Sequence, residues 1–194
     1  MGTDTAHLIE MYERAIPRTD AVVSNIDTDQ FELSTPCTDW DVEHVLDHLV
    51  GGCITFGGGA RGEKSGAISE PGNLGTDHVS AFRDASRAAA KAFRSADYYK
   101  DWDYPWGQSP PDAALHLALA DMTVHGWDLA KATDQGFEPD EDIAEEILGF
   151  VTTMLEPEGK MPRGNSFAEP VDVGDDVPAV HRLVAYVGRN PEIS

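Results

Sequence analysis

At 194 residues and 41 % hydrophobic content, the chain is long enough for one domain with a proper core and too apolar to remain disordered. Asp and Glu number 35 against 14 Lys and Arg, a formal net charge of −21, and a field of that sign excludes nucleic acid and anionic membrane surfaces as partners. No apolar run approaches the roughly 18–20 residues of a transmembrane helix, and the first residues lack the basic start and apolar core of a signal peptide, so a cytoplasmic protein is expected. The acids are dispersed and only five lysines occur (64, 91, 100, 131, 160). That is the pattern of a halophile-type acidic surface whose self-repulsion concentrated salt screens; an acidic docking face for a basic partner is the competing reading.

Residues about 4–25 place Leu8, Met11, Tyr12, Ala15, Val22 and Val23 at helical spacing, with Pro17 inside the run. The connector FELSTPCTDW follows, and Thr38 or Asp39 is a plausible N-cap for a second helix over about 40–57. Its stripe is Val42, Val45, Leu46, Leu49 and Ile54, and His44 and His48 lie four apart on one face. The glycine-rich stretch after it lacks both a preceding strand and the spacing of a phosphate loop, and reads as a flexible connection. An alanine-rich third helix is expected over about 76–96, with Val79, Phe82 and Phe93 facing inward. Next comes a loop dense in aromatics, Tyr98, Tyr99, Trp102, Tyr104 and Trp106, suited to lining a pocket or to capping a bundle.

Ser109 as N-cap and Pro110 or Pro111 in the first turn open a fourth helix, closed by Gly136. A fifth runs to about 155 on Ile143, Ile147, Leu148, Val151 and Leu155. The remainder is rich in Pro, Gly and Asp until a short last helix, AVHRLVAYVG. No repeat and no convincing strand alternation stands out. The whole reads as a single all-α domain over 1–194, an up-and-down four-helix bundle with an extra short helix and long loops, about 156–194 being an irregular extension packed on the bundle.

The fourth helix carries the chemistry. Asp121 and His125 are one turn apart on a face flanked by Leu117, Ala118, Val124, Leu129 and Ala132. A carboxylate turned into apolar surroundings needs a partner, and a cation is one. His48 on the second helix offers a third donor, because bundles build metal sites from side chains on facing helices. Two imidazoles and one carboxylate leave coordination positions open and suit Zn, Ni or Fe(II). Asp128 and His44 sit where they can orient these ligands, though each is equally placed as a surface or packing residue. Cys37 and Cys53 are the only cysteines and form no CxxC pair; both read as small hydrophobes, with a thiolate at the helix start the alternative for Cys37.

TPCTDWDVEHVLDHLVGG, ALADMTVHGWDLAKAT and the late Gly188-Arg189-Asn190-Pro191 resemble the motifs of the mycothiol-dependent maleylpyruvate isomerase-like metal-binding family. That family belongs to the DinB-like superfamily, and the closer pattern is the actinobacterial-type subfamily with TPCxxW and HGWDLA motifs. The resemblance spans nearly the whole chain and implies a DinB-like bundle with His48, Asp121 and His125 on the three metal-ligand positions, the isomerase having Glu where this chain has Asp121. It also implies zinc as the usual metal and a low-molecular-weight thiol at the open position. The function expected from it is activation of that thiol for isomerisation or S-transfer to a small electrophilic substrate. Two alternatives stand beside this: a non-catalytic metal-binding or stress-related protein, and a metal-dependent hydrolase acting through bound water. By analogy with other DinB-like bundles, a homodimer is the expected assembly.

Overall fold

In the computed structural model, the described residues are 5–64, 68, 71–155, 163, 167–174 and 176–192. Among the described residues the regular structure is six α-helices, one short 3-10 helix (Thr28–Gln30) and one small hairpin: α1 (Thr5–Val23), α2 (Val42–Arg61), α3 (His78–Ser95), β1 (Trp102–Tyr104), β2 (Gly107–Ser109), α4 (Pro111–Ala132), α5 (Glu141–Leu155) and α6 (Ala179–Tyr186). They fall into two compact units, 1–137 with α1 to α4 and 138–194 with α5 and α6. No helix among the described residues is long and apolar enough to cross a membrane.

In the first unit α2 packs on α3 and α4, and α1 packs on α4 and α3, which closes the four helices into a ring of the DinB-like type. The helices bury most of the stripes their sequence spacing announced, but Ile54, expected in the α2 stripe, is exposed, and Val79 and Leu148 are only half-buried. α1 buries Leu8, Met11, Tyr12, Ala15, Thr19, Val22 and Val23, and continues through Pro17. α3 buries Phe82 and Phe93 with a row of alanines, small enough to let its neighbours approach closely. Trp102, Phe82, Phe93 and Tyr12 are among the largest side chains sealed in this core, and Phe93 meets Tyr12 edge-on at 5.0 Å between ring centroids.

The helix ends differ from the sequence expectation in instructive ways. α2 starts at Asp41, not Thr38 or Asp39, because the Asp41 carboxylate accepts from the His44 amide at 2.9 Å. The helix also runs on through Gly57, Gly58 and Gly59 to Arg61, ending where Gly62 turns left-handed at φ 78; burial against neighbours overrides the weak helix propensity of glycine. Of the glycine-rich connection that follows, 65–67 and 69–70 lie outside the described residues. α4 ends at Thr133, followed by Asp134 at φ 54, rather than at Gly136. The aromatic loop is the antiparallel hairpin β1–β2, Trp102 pairing with Ser109 and Tyr104 with Gly107. Three-residue strands are too short to register as alternation, which is why they escaped notice.

In the second unit α5 packs on α6. The Glu141 carboxylate accepts from the Ala179 amide at 2.9 Å at the start of α6, and Arg182 pairs with Glu145. The last residues of α6 are closed by the Arg189 amide donating to Val184 at 2.8 Å. In the Pro- and Gly-rich stretch between the helices, 156–162, 164–166 and 175 lie outside the described residues.

Candidate metal centre

α2 and α4 face each other in the first unit and bring His48, Asp121 and His125 together. His48 Nε2 is 2.9 Å from Asp121 Oδ1, and His125 Nε2 is 3.5 Å from the same oxygen. The ligand-type atoms of all three lie within 4.8 Å of one another, and their side chains are 11–13 % exposed. The cluster is therefore largely buried and keeps slight exposure.

Neighbours fix each member. Asp128, fully buried, accepts from His125 Nδ1 at 3.0 Å. That bond places a proton on Nδ1, so in the neutral ring Nε2 is a bare lone pair. The lone pair then faces a carboxylate oxygen at 3.5 Å, an arrangement that needs a cation between the two, either a proton or a metal ion. His48 Nδ1 is buried and finds no partner among the described residues, so packing and Nε2 hold that ring. Trp40 supplies the packing, 4.6 Å from the His48 ring and 5.8 Å from that of His125. Burial by itself would lower the His48 pKa; the Asp121 carboxylate, by its charge and its hydrogen bond, outweighs burial and holds it above the ordinary imidazole value.

The turn before α2 sets Trp40 in place. The Thr35 hydroxyl donates to the Trp40 carbonyl at 2.9 Å and accepts from the Cys37 amide at 3.1 Å, while Asp39 takes a left-handed φ of 75. The same turn brings Cys37, half-buried, into a second group with His125 and Asp128, again with ligand-type atoms within 4.8 Å. Cys53 is the cysteine that fits the buried-hydrophobe expectation.

Gly52 makes room for the carboxylate: a Cβ there would stand 2.4 Å from Asp121 Oδ2. Of these contributors, Gly52 escaped the sequence reading, and Cys37 is read there as a small hydrophobe or a helix-start thiolate rather than as a neighbour of His125 and Asp128. A signal existed for Gly52, which sits one turn after His48 on the same face of α2. His44, one turn before His48, belongs to neither group. Its Nδ1 bonds Asp41 Oδ1 at 2.6 Å and its side chain is 66 % exposed. Those contacts, the hydrogen bond first and then the charge of Asp41, raise its pKa.

Beside the cluster lies a cavity of about 470 Å³, within the range of small-molecule sites. Glu43, His44 and His48 of α2, with Trp40 from the turn before it, form one wall, and Pro71 and Leu74 the opposite wall. Asp47 ties that opposite wall down, its carboxylate accepting from the amides of Gly72 at 3.1 Å, Asn73 at 2.6 Å and Leu74 at 3.2 Å.

A four-helix DinB-like bundle with two imidazoles and a carboxylate converging beside a cavity defines the class of protein. The chain belongs to the family described as the mycothiol maleylpyruvate isomerase N-terminal domain, whose family model matches residues 12–130. That match falls within the first unit. Two uncharacterised proteins from strains of Mycobacterium tuberculosis are each 28 % identical over 179 residues, covering 92 % of this chain and 95 % of theirs. Among solved structures, the fold resembles the crystal structure of the mycothiol-dependent maleylpyruvate isomerase, with a TM-score of 0.56. It also resembles that of the same enzyme carrying a histidine-to-alanine substitution, with a TM-score of 0.59. Both are 13 % identical, and each match covers 78 % of this chain and 69 % of the other; at that identity the likeness concerns the fold alone.

Proposed function

We propose that the chain is a divalent-metal enzyme, zinc being the preferred ion, that activates a low-molecular-weight thiol for isomerisation of, or S-transfer to, a small electrophile. The observation that carries it is the His125 lone pair held against the Asp121 carboxylate by the Asp128 hydrogen bond, a contact that a divalent cation resolves. The donor set fits such an ion: two imidazole nitrogens and a carboxylate oxygen from two rigid helices, with room left for an exogenous ligand. When bound, the ion favours the thiolate of a coordinated thiol at neutral pH, and the thiolate is the nucleophile.

The protein's own residues do the rest. Asp128 keeps His125 in one tautomer and one orientation, the role that outer carboxylates have in metal sites. Trp40 covers one flank of both rings and keeps water from it. Asp47 holds the wall opposite α2, and with it the volume in which a ligand is oriented. Membership of the mycothiol maleylpyruvate isomerase family supports the thiol and the reaction class.

Among the alternatives, a closed structural site would call for a fourth protein ligand; His44, one turn before His48, instead bonds Asp41 and is exposed, which favours the open, working site. Hydrolysis through bound water uses the same ligands and is separated by thiol dependence. The test is calorimetric titration of a thiol into zinc-reconstituted and chelator-treated protein. Binding with proton release to the zinc form alone is expected, and equal binding to both forms would refute the reading.

A further inference from the structure

The cavity beside the cluster is asymmetric in charge. Among the described residues that line it are two carboxylates, Glu43 and Asp47, and two histidines, His44 and His48, but no lysine or arginine. The two carboxylates are not equivalent. Asp47 is committed to the amides of Gly72, Asn73 and Leu74 and to the Asn73 side chain at 3.1 Å. The Glu43 carboxylate has no hydrogen-bond donor among the described residues, and it is exposed on the same wall. On α2, Glu43 and Asp47, and His44 and His48, are pairs four apart that share one helix face, with Trp40 in the turn just before it. At 1.5 Å rise per residue, Glu43 stands about 7.5 Å along the axis from His48.

We propose that this cavity selects among thiols by charge: it prefers one that carries a protonated amine, with the sulfur beside His48 and the ammonium at Glu43, over its neutral and anionic counterparts. The inference rests on the thiol-activation reading and adds to it the chemical class of the ligand. A thiol whose distal group is an anion meets at that end one free carboxylate, no lysine or arginine among the described lining residues and the field of a chain at −21. An amine meets a charge-assisted acceptor at the far end of a cavity long enough to hold several methylenes.

A matched series tests it: 6-amino-1-hexanethiol, 6-mercapto-1-hexanol and 6-mercaptohexanoic acid, titrated into Co(II)-loaded protein and followed by visible absorption and calorimetry. Because Glu43 is exposed, its contribution is that of a surface ion pair, so the amine should bind about three- to fivefold more tightly than the alcohol, with the acid weakest. Glu43→Gln should bring amine and alcohol together, while Asp84→Asn, which removes an exposed charge on α3, should leave the order intact. A flat or reversed order in the wild type, or equal loss of the preference in both variants, overturns the charge selection while thiol activation stands. If no member of the series perturbs the cobalt spectrum, thiol activation itself fails and the selection falls with it.

Discussion

Two polar clusters occupy the same helical core and behave in opposite ways. Tyr12 and Cys53 satisfy each other, hydroxyl to sulfur at 3.4 Å, and are sealed from solvent. Burial, with smaller contributions from Cys53 and Asp121, pushes the tyrosine well up; burial, against the lowering hydrogen bond from Tyr12, pushes the thiol up to about 12, so both stay neutral. His48, Asp121 and His125 converge on one oxygen, retain slight exposure and border a cavity. The contrast teaches what makes a polar cluster functional: the neutral pair closes on itself, and the charged one leaves a lone pair that its neighbours do not complete.

The largest way to break this contrast is to remove the shared oxygen. Asp121→Ala should abolish divalent-metal uptake, measured by equilibrium dialysis, with the Tyr12–Cys53 pair left intact. Next come the positioning residues. Asp128→Asn should weaken metal affinity by about 10- to 100-fold while the fold persists, a loss read by competition with a chromogenic chelator. Gly52→Ala, whose new Cβ would collide with Asp121 Oδ2, should also lower affinity, with circular dichroism reporting the helices unchanged.

On the closed side, Tyr12→Phe should cost about 1 kcal/mol of stability through the lost hydrogen bond and leave metal affinity as it was, measured by denaturant titration and dialysis. The same pair sharpens the comparison through pH. The folded-state pKa of Cys53 is raised, so the native state holds its proton where the unfolded chain has lost it. Its contribution is therefore complete below the ordinary thiol value of about 8.5 and is lost progressively as pH climbs toward about 12. A stability curve that kept rising above pH 9 would contradict this. The smallest effect concerns the α2 cap. Asp41→Ala should cost about 1 kcal/mol and return the raised His44 pKa toward its ordinary value, visible by NMR titration.

Much of this was legible in the sequence because helix periodicity is a strong local signal. The buried stripes of α1, α3 and α5 follow from apolar spacing alone, and Asp121 and His125 share a face by the same arithmetic. Pairing them with His48 needed the further premise that α2 and α4 are neighbours, which the motif resemblance supplied. What escaped depended on tertiary contact. The hairpin carrying Trp102 and Tyr104 is too short to alternate visibly, and α2 outruns its glycines because its neighbours bury them. Gly52 matters only for the carboxylate that leans on it, and Cys37 came beside Asp128 through a turn that Thr35 ties together. None of these is a property of a single segment.

The most direct test of the central claim is metal content by elemental analysis of untagged wild-type protein beside His48→Ala, His125→Ala and Cys37→Ala. About one zinc, nickel or iron per chain, retained in Cys37→Ala and lost in both histidine variants, is the predicted result. Wild-type protein that takes up no metal, even after reconstitution at high salt, would contradict it and leave His48, Asp121 and His125 as a buried polar contact between α2 and α4.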